Sequence, residues 1–289
     1  MEPEFPIDIK LNLSEGKKFY HYSCNEYTTI NRKTHRSELN KNFHVTLKRL
    51  EKERFEYHIE IFDRVHRDKT LSLSEKDFLA RIADINDDVV LITDEYGHLK
   101  NVQELSILQD KVEKTVEKLS RSYVGKQAED SYTFLKTFYQ NENLVGKDFL
   151  KSNQLGMILH KFYGRYEQED RVKYSVRYLN FLTNTVIDIE ERVQTEAMRC
   201  DDELLLLQYT GNIPSDKNWE MFYGEMKRKE IAYNRETDFP KLDKYKGQIL
   251  LDFKTKEVLE HKLTIEFSLG ENYQKKIIYH IKEISYEEL

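Results

Sequence analysis

Long stretches of this chain alternate apolar and polar residues, and the alternation is clearest towards both ends. Ile7, Ile9, Leu11 and Leu13 are separated by Asp8, Lys10 and Asn12, the period of two of a half-buried strand. Ser14-Glu15-Gly16-Lys17 supplies a turn, and the Tyr-rich stretch from Phe19 to Ile30 resumes the strand. Phe43, Val45 and Leu47 alternate again, as do Phe55, Tyr57, Ile59 and Ile61 against Glu56, His58 and Glu60. In the last third, Tyr174, Val176 and Tyr178, then Val186-Ile187, then the apolar run Leu204 to Tyr209 read as strands. The strongest strands come last: Ile249, Leu251 and Phe253; Leu259, His261, Leu263, Ile265, Phe267 and Leu269; Ile277, Tyr279 and Ile281. Alternation of this kind predicts antiparallel strands with one wet face.

The middle of the chain changes period. Leu105, Leu108, Val112, Val116 and Leu119 fall three and four residues apart, which makes one apolar helix stripe. Asp110 with Lys114 and Glu117 with Arg121 are i,i+4 pairs in the favourable order. Asn101 followed by Glu104 reads as an Asn variant of the capping box for this helix. A second helix carries Tyr132, Leu135, Phe138 and Tyr139, and a third carries Phe149, Leu155, Ile158, Leu159 and Phe162. A short helix is predicted over Ser74 to Ile85, with Ser74 as N-cap, and another over Trp219 to Ile231. Between them Val89-Val90-Leu91-Ile92 reads as a buried strand turned back at Asp94-Glu95-Tyr96-Gly97.

The order strand-rich, helix-rich, strand-rich predicts an α+β fold. Residues 1–100 form a β-rich part with one short helix, 101–165 a helical block and 166–289 a second β-rich part, all in one structural unit. The outer thirds either share one curved antiparallel sheet or form two facing sheets, with the helical block beside them.

Composition sharpens this picture. Mean hydropathy is low (−0.75) and 34% of residues are charged, yet 19 Tyr and 15 Phe supply a core, and 10 Gly with 4 Pro leave little linker. A net charge of −6, with Lys and Arg interspersed among acids as in Lys48-Arg49-Leu50-Glu51, argues against a nucleic-acid partner. The acidic start, Met1 to Pro6, is not a signal peptide and no apolar run reaches membrane-spanning length. The expectation is therefore a soluble cytoplasmic protein without membrane insertion.

Asp84, Asn86, Asp88 and Glu95 have the spacing of a calcium loop, but Val89 stands where its Gly belongs and a strand fills its interior. None of the nine histidines has a metal-ligand spacing. His44, His58 and His280 fall on separate strands, and His261 lies on an apolar face as a core histidine does. Cys24 reads as packed in a strand and Cys200 as near an acidic turn; neither belongs to a CxxC redox or zinc motif, and a disulfide between them is allowed but not implied, two buried thiols being the commoner case. Acid clusters at Glu167, Glu169 and Asp170, at Glu190 and Glu191, and at Asp201 to Glu203 read as solvated surface. No nucleophile elbow or phosphate cradle occurs, so no catalytic residue, metal or cofactor is assigned.

What remains is the tyrosine set. Tyr20, Tyr22 and Tyr27, with Tyr163 and Tyr166, suit either a protein-binding face or a core.

Two segments resemble an uncharacterised group of β-rich bacterial domains, often exported or lipid-anchored. Leu11-Asn12-Leu13-Ser14-Glu15-Gly16-Lys17-Lys18-Phe19-Tyr20-His21-Tyr22 is similar to their opening strand, Gly turn and aromatic strand. Gly247 to Val258 resembles their closing hairpin, with Lys256 where an Asp-x-Lys-Thr-Gly turn has its Gly. The resemblance implies a curved antiparallel sheet with helices on one side, and no active-site residue.

The expected function is a non-enzymatic adaptor, accessory or inhibitor that binds another protein, with Tyr20, Tyr22 and Tyr27 as its interface. The alternatives are a carrier of an apolar small molecule between sheet and helices, and an enzyme whose site is assembled from distant residues. The strand assignment itself is testable. Leu263→Asp or Ile265→Asp is expected to abolish the cooperative thermal transition, because each puts an unpaired charge at a core position; calorimetry of the purified variants checks this.

Overall fold

Alternation builds the first layer. The computed structural model describes residues 6–12, 15–50, 53–151, 153–159, 162–166, 173–182, 185–194, 198–201, 203–215, 217–285 and 287, with the backbone alone at 147–148, 150–151, 153–154, 173–182 and 185–186. Its strands are β1 (Ile7–Ile9), β2 (Gly16–Ile30), β3 (Lys33–Leu50), β4 (Arg54–Asp68), β5 (Asp88–Asp94), β6 (Leu99–Gln103), β7 (Gly164–Tyr166), β8 (Lys173–Leu182), β9 (Thr185–Val193), β10 (Arg199–Cys200), β11 (Leu204–Asn212), β12 (Pro240–Asp252), β13 (Val258–Leu269) and β14 (Tyr273–Ile284). Its helices are α1 (Leu73–Ala83), α2 (Leu105–Ser120), α3 (Lys126–Tyr139), α4 (Glu142–Lys151), α5 (Asn153–Ile158) and α6 (Glu220–Arg228).

The outer thirds share one sheet. A twelve-stranded antiparallel sheet runs β6-β5-β4-β3-β2-β14-β13-β12-β11-β9-β8, with β10 added beside β11, while β1 and β7 form a separate two-stranded pair. The joint between the two thirds is the β2–β14 ladder, which pairs Phe19 with Ile284 at one end and Ile30 with Tyr273 at the other. The expected α+β architecture is present with the strands dominant.

One face of the sheet is apolar and covered. Tyr20 and Tyr22, Phe43 and Val45, Tyr57 and Ile59, Leu263 and Ile265, and Tyr279 and Ile281 all turn to that side and are buried. Facing them are the stripes of α2 (Leu108, Val112, Val116, Leu119) and α3 (Tyr132, Leu135, Tyr139), as the periodicity predicts. Helix α4 touches both β6 and β8, the two ends of the sheet, while α5 touches β13 and β14 in the middle. The sheet therefore curls around the helical block, and a single helix bridges its two edges. Helix α6 closes a second patch, where Phe222 packs on Phe267 and Tyr273.

Glycine shapes the far side of the curl. Tyr209 on β11 lies opposite Gly247 on β12, and Tyr245 on β12 faces Gly211 on β11. A methyl added at Gly247 would come within 2.0 Å of the Tyr209 ring, so each tyrosine ring occupies the space its partner glycine leaves.

Several boundaries differ from expectation. The N-cap of α1 is Ser72 rather than Ser74, and its side chain and that of Glu75 form a capping box. Asn101 belongs to β6 and caps nothing; α2 instead starts after Glu104, whose left-handed φ of 55° makes the turn. The third expected helix divides into α4 and α5. The predicted strand residue Leu13 and turn residue Ser14 lie outside the described residues, as do the side chains of Tyr174, Val176 and Tyr178. Lys256, where the resembling hairpin has Gly, has a φ of 59°, the conformation that favours glycine.

Gly247→Ala is expected to cost about 3 kcal/mol through overpacking against Tyr209. Gly224→Ala, on an exposed helical position with nothing within 4 Å, leaves stability unchanged or slightly raised. Urea unfolding of the pair distinguishes the two.

Candidate functional site

Strand β2 carries the three tyrosines expected to form an interface, and its alternation separates them. Tyr20 and Tyr22 occupy even positions that point at the helical block, and both are buried. That placement corrects the expectation for these two, because neither can meet a partner without unfolding the layer above it. Tyr27 is at an odd position on the outer face, half-buried beneath the Arg36 guanidinium 5.6 Å from its ring.

The outer face around β2, β3 and β4 carries a different aromatic group. Phe19, His44 and Phe62 meet with ring centroids 5.8 to 6.5 Å apart, and Ile284 is the strand neighbour of Phe19. His44 is buried by its two aromatic neighbours and bonded to Glu60, whereas Phe62 is 49% exposed. Alternation on β4 turns Ile61 to the core and Phe62 outwards, and a bulge opposite Asn42 and Phe43 keeps Asp63 on the outer face beside it. Two adjacent apolar residues ending an alternating run, Ile61-Phe62, were the sequence signal for it.

Polar ladders surround the patch. His21 Nδ1 is 2.8 Å from Asn42 Oδ1, whose amide donates to Asp63 at 3.2 Å. His58 pairs with Asp88 at 2.8 Å, and Glu260 takes both His280 and Lys262 at 2.8 Å. Burial alone would raise the Glu260 carboxyl, but these two donors hold it below the usual range. His44, His58 and His280 thus each have a carboxylate of their own, and among the described residues no three histidine, cysteine or acidic groups converge on a metal position.

The calcium spacing does not form a loop. Asp84 and Asp87 accept from the Arg64 guanidinium, Glu95 pairs with Lys10, and Val89 and Leu91 are core. His261 is fully buried, with Nδ1 2.8 Å from the Met157 carbonyl and Nε2 2.6 Å from the Tyr209 hydroxyl. That geometry fits a neutral ring donating from Nδ1 and accepting at Nε2, a core histidine that ties α5 to the sheet. Glu191, expected on the surface, is instead buried beside Ile189 and Val193 and accepts from the Tyr245 hydroxyl. Asp201 caps the Glu203 and Leu204 amides, and Glu190 is exposed. Glu167, Glu169, Asp170, Asp202 and His160 lie outside the described residues.

Cys24 and Cys200 are free and half-buried. Burial, with the nearby Glu26, pushes the Cys24 thiol up to about 12, which makes it a poor nucleophile. Beside it on the helix-facing side lies Lys41, its ammonium 6.0 Å from the Tyr22 ring; burial and then the Arg64 charge lower it to about 8. Further along the same face, Lys275 is buried and paired with Glu26 at 2.9 Å.

Tyr20 and Tyr163, separated by most of a domain in sequence, come together at one end of the sheet. Tyr20 donates to the Val258 carbonyl at 3.2 Å and Tyr163 to the Lys256 carbonyl at 3.1 Å, so their hydroxyls bracket Glu257. Tyr57 and Thr93, on the neighbouring strands β4 and β5, are buried on the same covered face. Nothing in the spacing of Tyr57, Thr93 and Glu257 announces their burial, because they come from two separate strands and a turn. Tyr166 stays apart, donating to the Phe162 carbonyl.

No family model matches the chain, and no curated protein does. Five chains of solved structures match. One belongs to a study titled "Lipid-protein interactions in lipovitellin", with a TM-score of 0.44 and 9% identity over 94% of this chain and 25% of that one. A likeness of that size does not establish a shared fold, and this chain spans a quarter of the other's length. Among the described residues no helix is long and apolar enough to cross a membrane.

Lys41 gives a pH signature. The unfolded chain holds its proton up to about 10.5 and the folded chain only up to about 8, so the unfolded state binds more protons between those values. Stability should therefore rise with pH across that window, by on the order of 2 to 3 kcal/mol. Lys41→Met is expected to be more stable at pH 7 and to flatten the rise, read by urea unfolding at pH 7, 8, 9 and 10.

Proposed function

We propose that this chain is a non-enzymatic protein-binding module, an adaptor, accessory or inhibitor, whose recognition surface is the outer sheet face centred on Phe19, His44 and Phe62. The observation that carries this reading is the aromatic cluster on the outer sheet face, whose Phe62 ring is 49% exposed. An exposed aromatic group ringed by polar residues has the anatomy of an interface centre and rim. The partner that fits is another protein, offering an apolar side chain to the Phe62 patch and polar groups to the flanking histidine–carboxylate pairs.

The carrier reading has less support. Val145, Phe149, Leu155, Met157 and Phe162 fill the concave side of the sheet, and an apolar ligand there would have to displace them. The enzyme reading has no usable base in His261, whose two ring nitrogens are both engaged inside the core.

Phe62→Asp removes the centre of the patch without touching the core. It is expected to weaken binding of the protein that co-purifies with the tagged wild type at least tenfold, at unchanged melting temperature. Phe134→Asp, on α3 and 64% exposed, leaves binding intact. Equal retention by both variants, or a wild type that retains no partner, overturns the reading.

A further inference from the structure

The sheet ends beside a helix, and the two leave a cleft between them. Among the described residues β6 pairs with β5 and with no other strand, so one of its edges is free. A cleft of about 180 Å³ lies there, with the consecutive residues Leu99 to Val102 of β6 on one wall. Glu142, Asn143 and Gly146, all from the start of α4, form the other. Successive strand residues point to opposite faces, so four in a row line one cleft only along the edge of their strand. Main-chain N–H and C=O groups of an edge strand are therefore presented to this cleft.

The walls specify what can lie in it. Lys100 is the extra residue of an irregularity in the β5–β6 ladder, where Ile92 pairs with Asn101 and Thr93 with Leu99. A lysine at a bulge on a free edge deters the edge of another sheet, and α4 stands in the way of further strands. One extended strand about the length of β6 is admitted, five residues or roughly 17 Å. On the apolar side the fit is tight: a methyl added at Gly146 would come 2.6 Å from Leu99 Cδ2, so a guest side chain beside it must be small. The carboxamides of Asn101 and Asn143 are exposed and have no partner among the described residues. A carboxamide donates and accepts as a peptide group does, so the two can hold a guest main chain from both walls. Charge complementarity asks for a basic residue. Lys100 is already taken by Asp94 at 2.9 Å, whereas Glu142 is exposed and has no partner among the described residues. A carboxylate chain end would meet Glu142, and Asn141 already caps the Leu144 amide at 3.2 Å, so the guest is an internal segment.

We propose that this cleft binds an extended peptide segment of a partner protein by strand addition to β6. Main-chain bonds to the free edge supply the affinity. A small apolar residue against Leu99 and Val102, and a basic residue facing Glu142, supply the selectivity. The cleft lies two strands away from β4, which carries Phe62, and the proposal does not rest on the reading of that patch.

The test uses the full chain. Short random linear peptides displayed on phage are selected on the immobilised protein, and the enriched sequences are synthesised and measured by calorimetry. Asn143→Trp fills the cleft from an exposed helical position; it is expected to keep the melting temperature and to weaken peptide binding at least tenfold. Glu142→Lys should weaken peptides that carry the basic residue by a similar factor, and Phe62→Asp should leave them unchanged. Only every second amide of an added strand faces its neighbour. N-methylation of one alternate set of peptide nitrogens should therefore abolish binding, and N-methylation of the other set should preserve it. Three results overturn the proposal: no peptide enriched above a blank surface, binding that Phe62→Asp removes and both cleft variants spare, or N-methylation effects that do not alternate.

Discussion

A sheet of twelve antiparallel strands can be wet on one face only if the other is sealed along its whole width, and that sealing organises this molecule. The apolar face spans strands from both chain ends, whereas the helices that cover it come from the middle. Curling lets a short helical block cover a wide sheet, and α4, in contact with both β6 and β8, is where the curl closes. Sheet edges are sites of unwanted pairing, and bringing both ends of this sheet against one helix restricts access to them. The glycines at 211 and 247 serve the same end, since they let Tyr209 and Tyr245 lie across the neighbouring strand instead of standing away from it.

Sealing one face traps polar groups, and the structure treats them in three ways. His261 is fully used, one nitrogen to the Met157 carbonyl and the other to the Tyr209 hydroxyl, so it links a helix to a strand more than a hundred residues away. Lys275 is matched by a charge, Glu26, across the β2–β14 joint. Lys41 is held at a cost that shows as its lowered proton affinity. Glu257 is likewise matched, its carboxylate taking the Lys18 ammonium at 2.7 Å and the Thr255 hydroxyl at 3.0 Å.

How much of this was legible depends on the range of the interaction. Strands with strict alternation, such as Leu263 to Leu269, and the α2 and α3 stripes could be read directly, because burial on one face is written into local spacing. Helix starts were less legible: Ser72 and Ser74 are equally good caps in isolation, and the contact of Glu75 with Ser72 decides between them. Asn101 failed as a cap because pairing with β5 claimed it for a strand. The tyrosines of β2 show the limit. Their composition suits an interface and a core alike, and only the parity of position 27 against 20 and 22 separates them. Once Phe43, Val45 and Leu47 are taken as inward, the register across β2 and β3 fixes that parity.

The Phe62 patch and the buried Glu257 group were illegible for different reasons. The Phe62 patch ends at a one-residue bulge, which reverses the side to which every later residue of β4 points; Arg64, a polar residue, thereby reaches the covered side and binds Asp84 and Asp87. A doubled apolar pair at Ile61-Phe62 hints at such a slip, so that site was partly readable. The Glu257 group has no such hint. Its members sit in β4, β5 and the β12–β13 turn, each surrounded by ordinary strand or turn sequence, and their meaning comes from convergence. A glutamate after a turn reads as solvent-facing unless one knows that Tyr20 and Tyr163 close over the carbonyls on either side of it. The outer face is set by local alternation plus one defect, and the inner group by long-range closure of the curl, so a single substitution can alter either one without disturbing the other.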